Sequence, residues 1–90
     1  MAYEVKLTSA VLRDLARLPV SVGSRILDEV EALAQEPDPI RHVKRLKGGS
    51  QNPFYSLRVG RYRAILNIYD DVLLIVVVEV GHRSTIYRKY

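Results

Sequence analysis

Three arginines between residues 58 and 63 are the side chains of this chain best suited to hold a phosphate: Arg58, Arg61 and Arg63. A guanidinium group carries a permanent charge, and its paired N–H groups match the oxygens of a phosphate. Three like charges on one short segment repel each other unless an anion lies between them. The cluster therefore predicts an anionic ligand such as a nucleic-acid backbone, and the alternative is a solvated strand face.

A second group of reactive side chains lies near the C-terminus, where His82 and Arg83 are followed by Tyr87. RNA supplies its own nucleophile, the 2′-OH. Cleavage then needs a base for that hydroxyl, cations for the charge that develops on phosphorus, and a proton donor for the 5′-oxygen. Surrounding arginines favour the phenolate form of a tyrosine. Tyrosine, histidine and lysine all remain candidate bases, and a surface that only binds nucleic acid would carry the same residue types.

Composition argues against other kinds of chemistry. The chain has no cysteine, so it has neither a disulfide nor a catalytic thiolate. His42 and His82 are far apart and lack the spacing of metal ligands, so we expect no metal and no cofactor. His42 is interpreted as a surface residue without a partner. The longest apolar run covers residues 72–78, which is too short to span a membrane, and a cytoplasmic protein is expected.

The net charge of +4 is distributed unevenly along the 90 residues. Residues 1–40 carry four basic and seven acidic side chains, whereas residues 41–90 carry ten basic and three acidic ones. This asymmetry indicates a nucleic-acid footprint in the second half and a scaffold in the first.

The first half of the chain predicts a strand followed by two helices. Alternating apolar residues at 3, 5 and 7 indicate a strand with one buried face. Thr8 or Ser9 can cap a first amphipathic helix, which Pro19 ends. A second helix starts near Ser21 and stops at Pro37. Together they predict a two-helix hairpin.

The second half predicts the sheet. Residues 54–66 form a β-hairpin turning at Gly60, with one apolar and one basic face, and residues 72–80 form a central strand buried on both faces. A short basic tail follows. We expect one α+β domain over residues 1–90, in which the N-terminal strand and an antiparallel sheet carry the helical hairpin on one face. The other face is expected to stay open.

Three motifs occur in order along this framework: LKG at 46–48, YSLRVGRYRAIL at 55–66 and VGHRSTIY at 80–87. In this combination, after a helical hairpin ending in LP, the sequence resembles the RelE/ParE toxins, and among them the RelE branch. The resemblance implies a RelE-like fold and a toxin of a type II toxin–antitoxin module. It further implies a ribosome-dependent, metal-independent endoribonuclease that cuts mRNA in the decoding site.

The resemblance also implies residue roles. Arg63 would stabilise the scissile phosphate, Arg58 would contact it, and Arg83 would act on the leaving oxygen or the transition-state charge. Tyr87 would stack on a base and take the 2′-OH proton, and His82 would carry a proton. Ser56 departs from the family pattern, in which a lysine occupies this position. RNA or ribosomal RNA contacts are expected from the remaining basic residues: Lys44, Arg45, Lys47, Arg61, Arg88 and Lys89.

Two other functions fit the same family resemblance. One is a ParE-like toxin that inhibits DNA gyrase without cutting RNA, although that branch generally lacks the arginine and tyrosine set present here. The other is a degenerate toxin that binds only nucleic acid or its antitoxin. In every case the expected partner is a cognate RelB-like antitoxin, with operator DNA reached only through it.

Overall fold

The structure, a computed structural model, describes residues 2–46 and 52–86. The elements are β1 (Glu4–Leu7), α1 (Ser9–Arg17), α2 (Val20–Gln35), a 3₁₀ helix (Pro39–His42), β2 (Lys44–Arg45), β3 (Tyr55–Val59), β4 (Tyr62–Tyr69), β5 (Leu74–His82) and α3 (Arg83–Ile86). The predicted α+β class is confirmed. The predicted basic tail beyond residue 86 lies outside the described residues.

Five strands form one sheet in the order β1-β5-β4-β3-β2. Neighbours from β2 to β5 are antiparallel, as expected, but β1 pairs with β5 in parallel, with Val5 opposite Ile75. The expectation of an antiparallel sheet is therefore correct except for β1. Alternation marks β1 as a strand with one buried face, but it specifies neither its neighbour nor its direction.

Capping and proline residues explain where the two helices begin and end. The Thr8 hydroxyl accepts a hydrogen bond from the Val11 N–H at 3.2 Å, which caps α1. Pro19 separates the helices, and α2 starts directly after it at Val20, one residue before the predicted start. Both helices pack on one face of the sheet, where Ile26 and Val30 of α2 join Leu57, Ala64 and other strand residues in the main core. Among the described residues, no helix combines the length and apolar character needed to cross a bilayer.

The face of the sheet opposite the helices, termed the second face, was predicted to be open. In the structure it is partly covered. Leu46, Ile65 and Ile86 form a separate buried cluster, against which Phe54 and Val78 pack. A register shift between Ile65 and Leu66 turns both Val78 and Glu79 away from the main core. The short helix α3 thus covers part of this face and leaves the ends of β3 and β4 beyond it.

Strand β5 begins at Leu74 rather than at Val72. Val72 is 64% exposed, and Leu73 adopts a left-handed conformation with φ of 52°. Both residues lie in the turn after Asp70, so their apolar character does not extend the strand. The buried residues of β5, including Ile75, Val77 and Val80, face mainly the helices, and the second face of the strand is half-buried.

Tyr3 connects three parts of the fold. Its N–H donates to the Ala34 carbonyl at 2.8 Å, and its hydroxyl donates to the Asp70 carboxylate at 2.5 Å. Tyr3 therefore joins the start of β1 to the end of α2 and to the β4–β5 turn. This hydrogen bond, together with burial and the negative charge of Asp70, raises the pKa of Tyr3 from 10.0 to about 12.

Replacing this hydroxyl tests the connection. Tyr3→Phe should lower the free energy of unfolding at pH 7 by about 1 kcal/mol, because the hydrogen bond to Asp70 is lost. The raised pKa means that this contribution is complete below pH 10 and is lost as the pH rises toward 12, because the unfolded tyrosine deprotonates first. Urea unfolding at pH 7 and pH 11 should therefore show a smaller difference between the two proteins at pH 11. An equal difference at both pH values would contradict this role.

Candidate active site

Arg58 and Arg63 lie directly opposite each other on the second face of the sheet. Gly60, with φ of +60°, and Arg61 make a two-residue turn that sets Val59 opposite Tyr62, and hence Arg58 opposite Arg63. Their neighbours Leu57 and Ala64 are buried toward the helices, so alternation turns the two arginines the other way. The structure thus brings together two of the predicted phosphate-binding residues.

The two arginines differ in their surroundings. Arg58 is exposed and also borders an open groove of about 300 Å³ beside α2, together with Glu29, Glu36 and His42. Arg63 is half-buried, and its Nε is inaccessible to solvent. Arg63 therefore has the better fixed side chain, and Arg58 is free to reach toward a ligand in solvent.

The β4–β5 register places the start of the His82–Arg83 segment next to Arg63 along the sheet. Arg63 is opposite Gly81, over which the Ile86 side chain of α3 lies. His82 follows at the end of β5 opposite Tyr62, which packs on the helix-side core, so alternation turns the imidazole toward that side. The Arg83 N–H donates to the Arg61 carbonyl at 2.9 Å, which ties the start of α3 to the hairpin turn. Arg61, His82 and Arg83 then line a cavity of about 380 Å³ with Ser84.

The contacts of His82 determine which ring nitrogen can donate a proton. Its Nδ1 accepts a hydrogen bond from the Ser84 N–H at 3.2 Å and lies 2.9 Å from the Ser84 hydroxyl oxygen. A nitrogen that accepts from an N–H uses its lone pair, so the proton of the neutral ring resides on Nε2. The ring also packs edge-on against Tyr62, with centroids 5.6 Å apart. His82 is therefore an oriented imidazole whose Nε2–H is available as a donor.

The other predicted site residues fall into three groups. Lys44 and Arg45 form β2 and, being successive strand residues, face opposite sides: Lys44 pairs with Ser56 on the second face, and Arg45 pairs with Tyr55 on the helix side. Arg61 lies in the turn. Four residues lie outside the described part of the chain: Lys47, Tyr87, Arg88 and Lys89.

Two features escaped sequence reasoning. Ser84 holds the His82 ring. The only indication of this contact in the sequence is a serine two residues after a histidine. His42, expected to have no partner, lies 3.3 Å from a Glu36 carboxylate oxygen, so that expectation is wrong. Both contacts depend on how a strand or helix ends, which periodicity does not specify. Within residues 2–46 and 52–86, no three histidine or carboxylate side chains are grouped so as to hold a metal.

Comparison with known proteins decides the family. Residues 5–87 match the family described as the ParE toxin of the type II toxin–antitoxin system parDE. The chain belongs to the RelE/ParE superfamily of type II toxins. It is 36% identical to toxin RelG of Mycobacterium tuberculosis over 90 residues, which is 99% of this chain and 100% of RelG.

Solved structures of RelE/ParE toxins support the same fold. The chain superposes on the toxin–antitoxin complex RelBE2 of Mycobacterium tuberculosis with a TM-score of 0.80 and 29% identity, covering 93% of this chain and 94% of the other. The archaeal RelE–RelB complex of Pyrococcus horikoshii gives a TM-score of 0.77 and 29% identity, covering 94% and 99%. The predicted RelE-like fold is confirmed, whereas the predicted residue roles stay predictions.

The arginine pair should make the sheet less stable than it would otherwise be. Like charges directly opposite each other across two strands are destabilising. Arg58→Gln should therefore raise the free energy of unfolding by about 0.5 kcal/mol at low salt, which raises the melting temperature by roughly 2–4 °C. Thermal unfolding at 0.05 M and 0.5 M NaCl measures this, and the gain should shrink at high salt because salt screens the repulsion.

Arg45→Gln is the matched control, because Arg45 is an exposed strand arginine paired with a tyrosine instead of an arginine. Its melting temperature should change less than that of Arg58→Gln. An Arg58→Gln protein that is less stable than the unchanged chain at low salt would mean that attraction to Glu29 and Glu36 outweighs repulsion from Arg63.

Proposed function

We propose that this toxin is a ribosome-dependent, metal-independent endoribonuclease that inhibits translation by cutting mRNA in the decoding site. The observation that carries the proposal is the register that sets Arg58 opposite Arg63 and Arg63 opposite Gly81, with His82 and Arg83 next along the chain. Two cations on one face of the sheet can hold a phosphate, and an oriented imidazole follows at the end of β5. Cleavage by an internal 2′-OH requires groups of these kinds.

In the proposed reaction the 2′-oxygen of RNA attacks the adjacent phosphorus. The O2′–P bond forms, the P–O5′ bond breaks, and the products are a 2′,3′-cyclic phosphate and a 5′-hydroxyl. Arg58 and Arg63 stabilise the negative charge that accumulates on the phosphoryl oxygens. Arg83, at the start of α3, acts on the leaving oxygen or on the same charge.

Two protons move in this reaction. His82 acts in its protonated form: Nδ1–H donates to the Ser84 hydroxyl, 2.9 Å away, and Nε2 gives its proton to the 5′-oxygen, which leaves the neutral ring. Tyr87 stacks on a base and takes the 2′-OH proton, a role that rests on the resemblance to the RelE branch. The other basic residues of the second half, including Arg61 and Lys47, contact RNA or ribosomal RNA. The toxin acts in the cytoplasm, where ribosomes are found.

Toeprinting of an mRNA on programmed ribosomes tests the proposed cleavage. The unchanged toxin should cut within the decoding site. Arg63→Ala and Arg83→Ala should each slow cleavage by about 10²–10³-fold, because each removes a preorganised charge from the transition state. Tyr87→Phe should slow it as well, since its proton acceptor is lost. The matched control is Arg13→Ala, which removes an exposed arginine on α1.

Failure of the unchanged toxin to cut would reject the endoribonuclease and favour the second candidate. That candidate is a ParE-like inhibitor of DNA gyrase, supported by the family description that residues 5–87 match. A supercoiling assay with purified gyrase would then be decisive, because only a ParE-like toxin inhibits it. Absence of both activities, together with normal growth on expression without a partner, would favour a degenerate toxin that binds only nucleic acid or its antitoxin.

Two substitutions separate the proposed proton donation by His82 from its structural contact. His82→Asn keeps an acceptor near the position of Nδ1 for the Ser84 N–H, whereas His82→Gln places an amide near the position of Nε2. Both proteins should fold, and both should cut mRNA roughly 10²–10⁴-fold more slowly, because neither amide transfers a proton as imidazole does. Single-turnover rates and circular dichroism measure this. Full activity of folded His82→Asn would exclude His82 as the donor.

A cognate RelB-like antitoxin is the proposed protein partner. The relatives from Mycobacterium tuberculosis and Pyrococcus horikoshii were solved as toxin–antitoxin or RelE–RelB complexes, which supports this proposal. An antitoxin segment rich in Asp and Glu would complement the exposed Arg58 and its neighbours on the second face. Operator DNA is expected to bind only through the antitoxin.

A further inference from the structure

Two cross-strand rows of residues on the second face show which other cation lies near the arginine pair. The first row contains Arg58, Arg63 and Gly81 across β3, β4 and β5. The adjacent row contains Lys44, Ser56, Ile65 and Glu79 across β2 to β5. Lys44 is thus the cation at the β2 end of the row next to the arginines.

Lys44 is positioned to reach the same ligand as Arg58. Cross-strand diagonal neighbours have Cα atoms about 7–8 Å apart, and a lysine has a flexible four-carbon stem with a compact charge. Ser56, which lies between Lys44 and Ile65 in this row, is buried and uncharged, so Lys44 is the exposed side chain at this end of the row. Lys44 is exposed, and within the described residues no carboxylate pairs with it.

We propose that Lys44 binds a second RNA phosphate, next to the one held by Arg58 and Arg63, so that the RNA site continues to the β2 edge of the sheet. This inference rests on the proposed endoribonuclease function. Lys44 contacts the RNA backbone beside the scissile bond and does not contact the reacting phosphate. It therefore contributes to binding and to the placement of RNA, and the chemical step does not depend on it.

The β2–β3 register also places Lys44 and its neighbour Arg45 on opposite faces of the sheet. Arg45 faces the helix side with Tyr55, so the two basic residues of β2 do not act on one ligand. The charge along the second face thus runs from the β3–β4 hairpin toward β2, away from Glu79 at the β5 end of the row. An extended RNA strand that crosses β4, β3 and β2 would meet Arg63, Arg58 and Lys44 in turn.

Single-turnover cleavage of mRNA on programmed ribosomes, measured over a range of toxin and salt concentrations, tests the inference. Lys44→Ala should raise the half-saturating toxin concentration by roughly tenfold and leave the rate at saturation nearly unchanged, because uniform binding is lost. The dependence of log affinity on log salt should become shallower by about 0.7, the value for one phosphate contact on a single strand. Lys44→Arg should retain most of the affinity.

Lys6→Ala is the matched control. Lys6 is an exposed lysine on the same face, and it lies on β1 at the other edge of the sheet, opposite Val76. It should change neither the half-saturation point nor the salt dependence.

The possible results are distinct. Lys44→Ala that behaves like Lys6→Ala overturns the inference while leaving the endoribonuclease intact. Lys44→Ala that lowers the saturated rate without moving half-saturation also overturns it, because Lys44 would then act on the transition state. No cleavage by the unchanged toxin rejects the proposed function and this inference with it. Equal melting temperatures of Lys44→Ala and Lys6→Ala ensure that all comparisons concern folded protein.

Discussion

The pairing register of the β3–β4 hairpin is the constraint on which the candidate site depends. A two-residue turn at Gly60 and Arg61 sets Arg58 opposite Arg63, and side chains alternate between faces from there. A slip of β3 by one residue would turn Arg58 into the main core and Leu57 out of it. Burial of Leu57, Val59 and Ala64 against the helices therefore fixes, at the same time, the position of two cations on the opposite face.

The two faces of the sheet consequently have different roles: one forms the larger core, and the other carries the arginines. The helix side holds the larger core, in which residues of α1 and α2 contact β3, β4 and β5. The second face has a smaller cluster around Ile65 and Ile86, and the arginines lie beyond it. Two like charges opposite each other oppose folding, and the apolar residues behind them offset that cost. Such a local conflict between stability and surface charge is typical of a binding site.

Local patterns in the sequence were sufficient for much of this structure. Apolar spacing and caps predicted both helices, with Thr8 as the confirmed cap, and alternation around Gly60 predicted the hairpin and its basic face. Long-range pairing could not be obtained in this way. The parallel β1–β5 pair and the cluster joining Leu46 to Ile86 unite residues far apart in sequence, and no local period records which segments meet.

Apolar composition misled the prediction at Val72, which lies in a turn because Leu73 adopts a left-handed conformation. For the candidate site, the sequence predicted Arg58, Arg63, His82 and Arg83 as members but not how they are arranged. The orientation of His82 comes from Ser84 at the start of α3. The separation of Lys44 from Arg45 follows from β2 pairing with β3. Counting from the Gly60 turn would have set Arg58 opposite Arg63, because a two-residue turn leaves one register.

The most direct test of the central claim is cleavage of an mRNA with one 2′-deoxynucleotide immediately 5′ of the scissile phosphate in the decoding site. Attack by the 2′-oxygen predicts that this mRNA stays intact on programmed ribosomes, while the all-ribose mRNA yields a 2′,3′-cyclic phosphate end. Equal cutting of both mRNAs would contradict the claim, because the nucleophile would then come from outside the RNA.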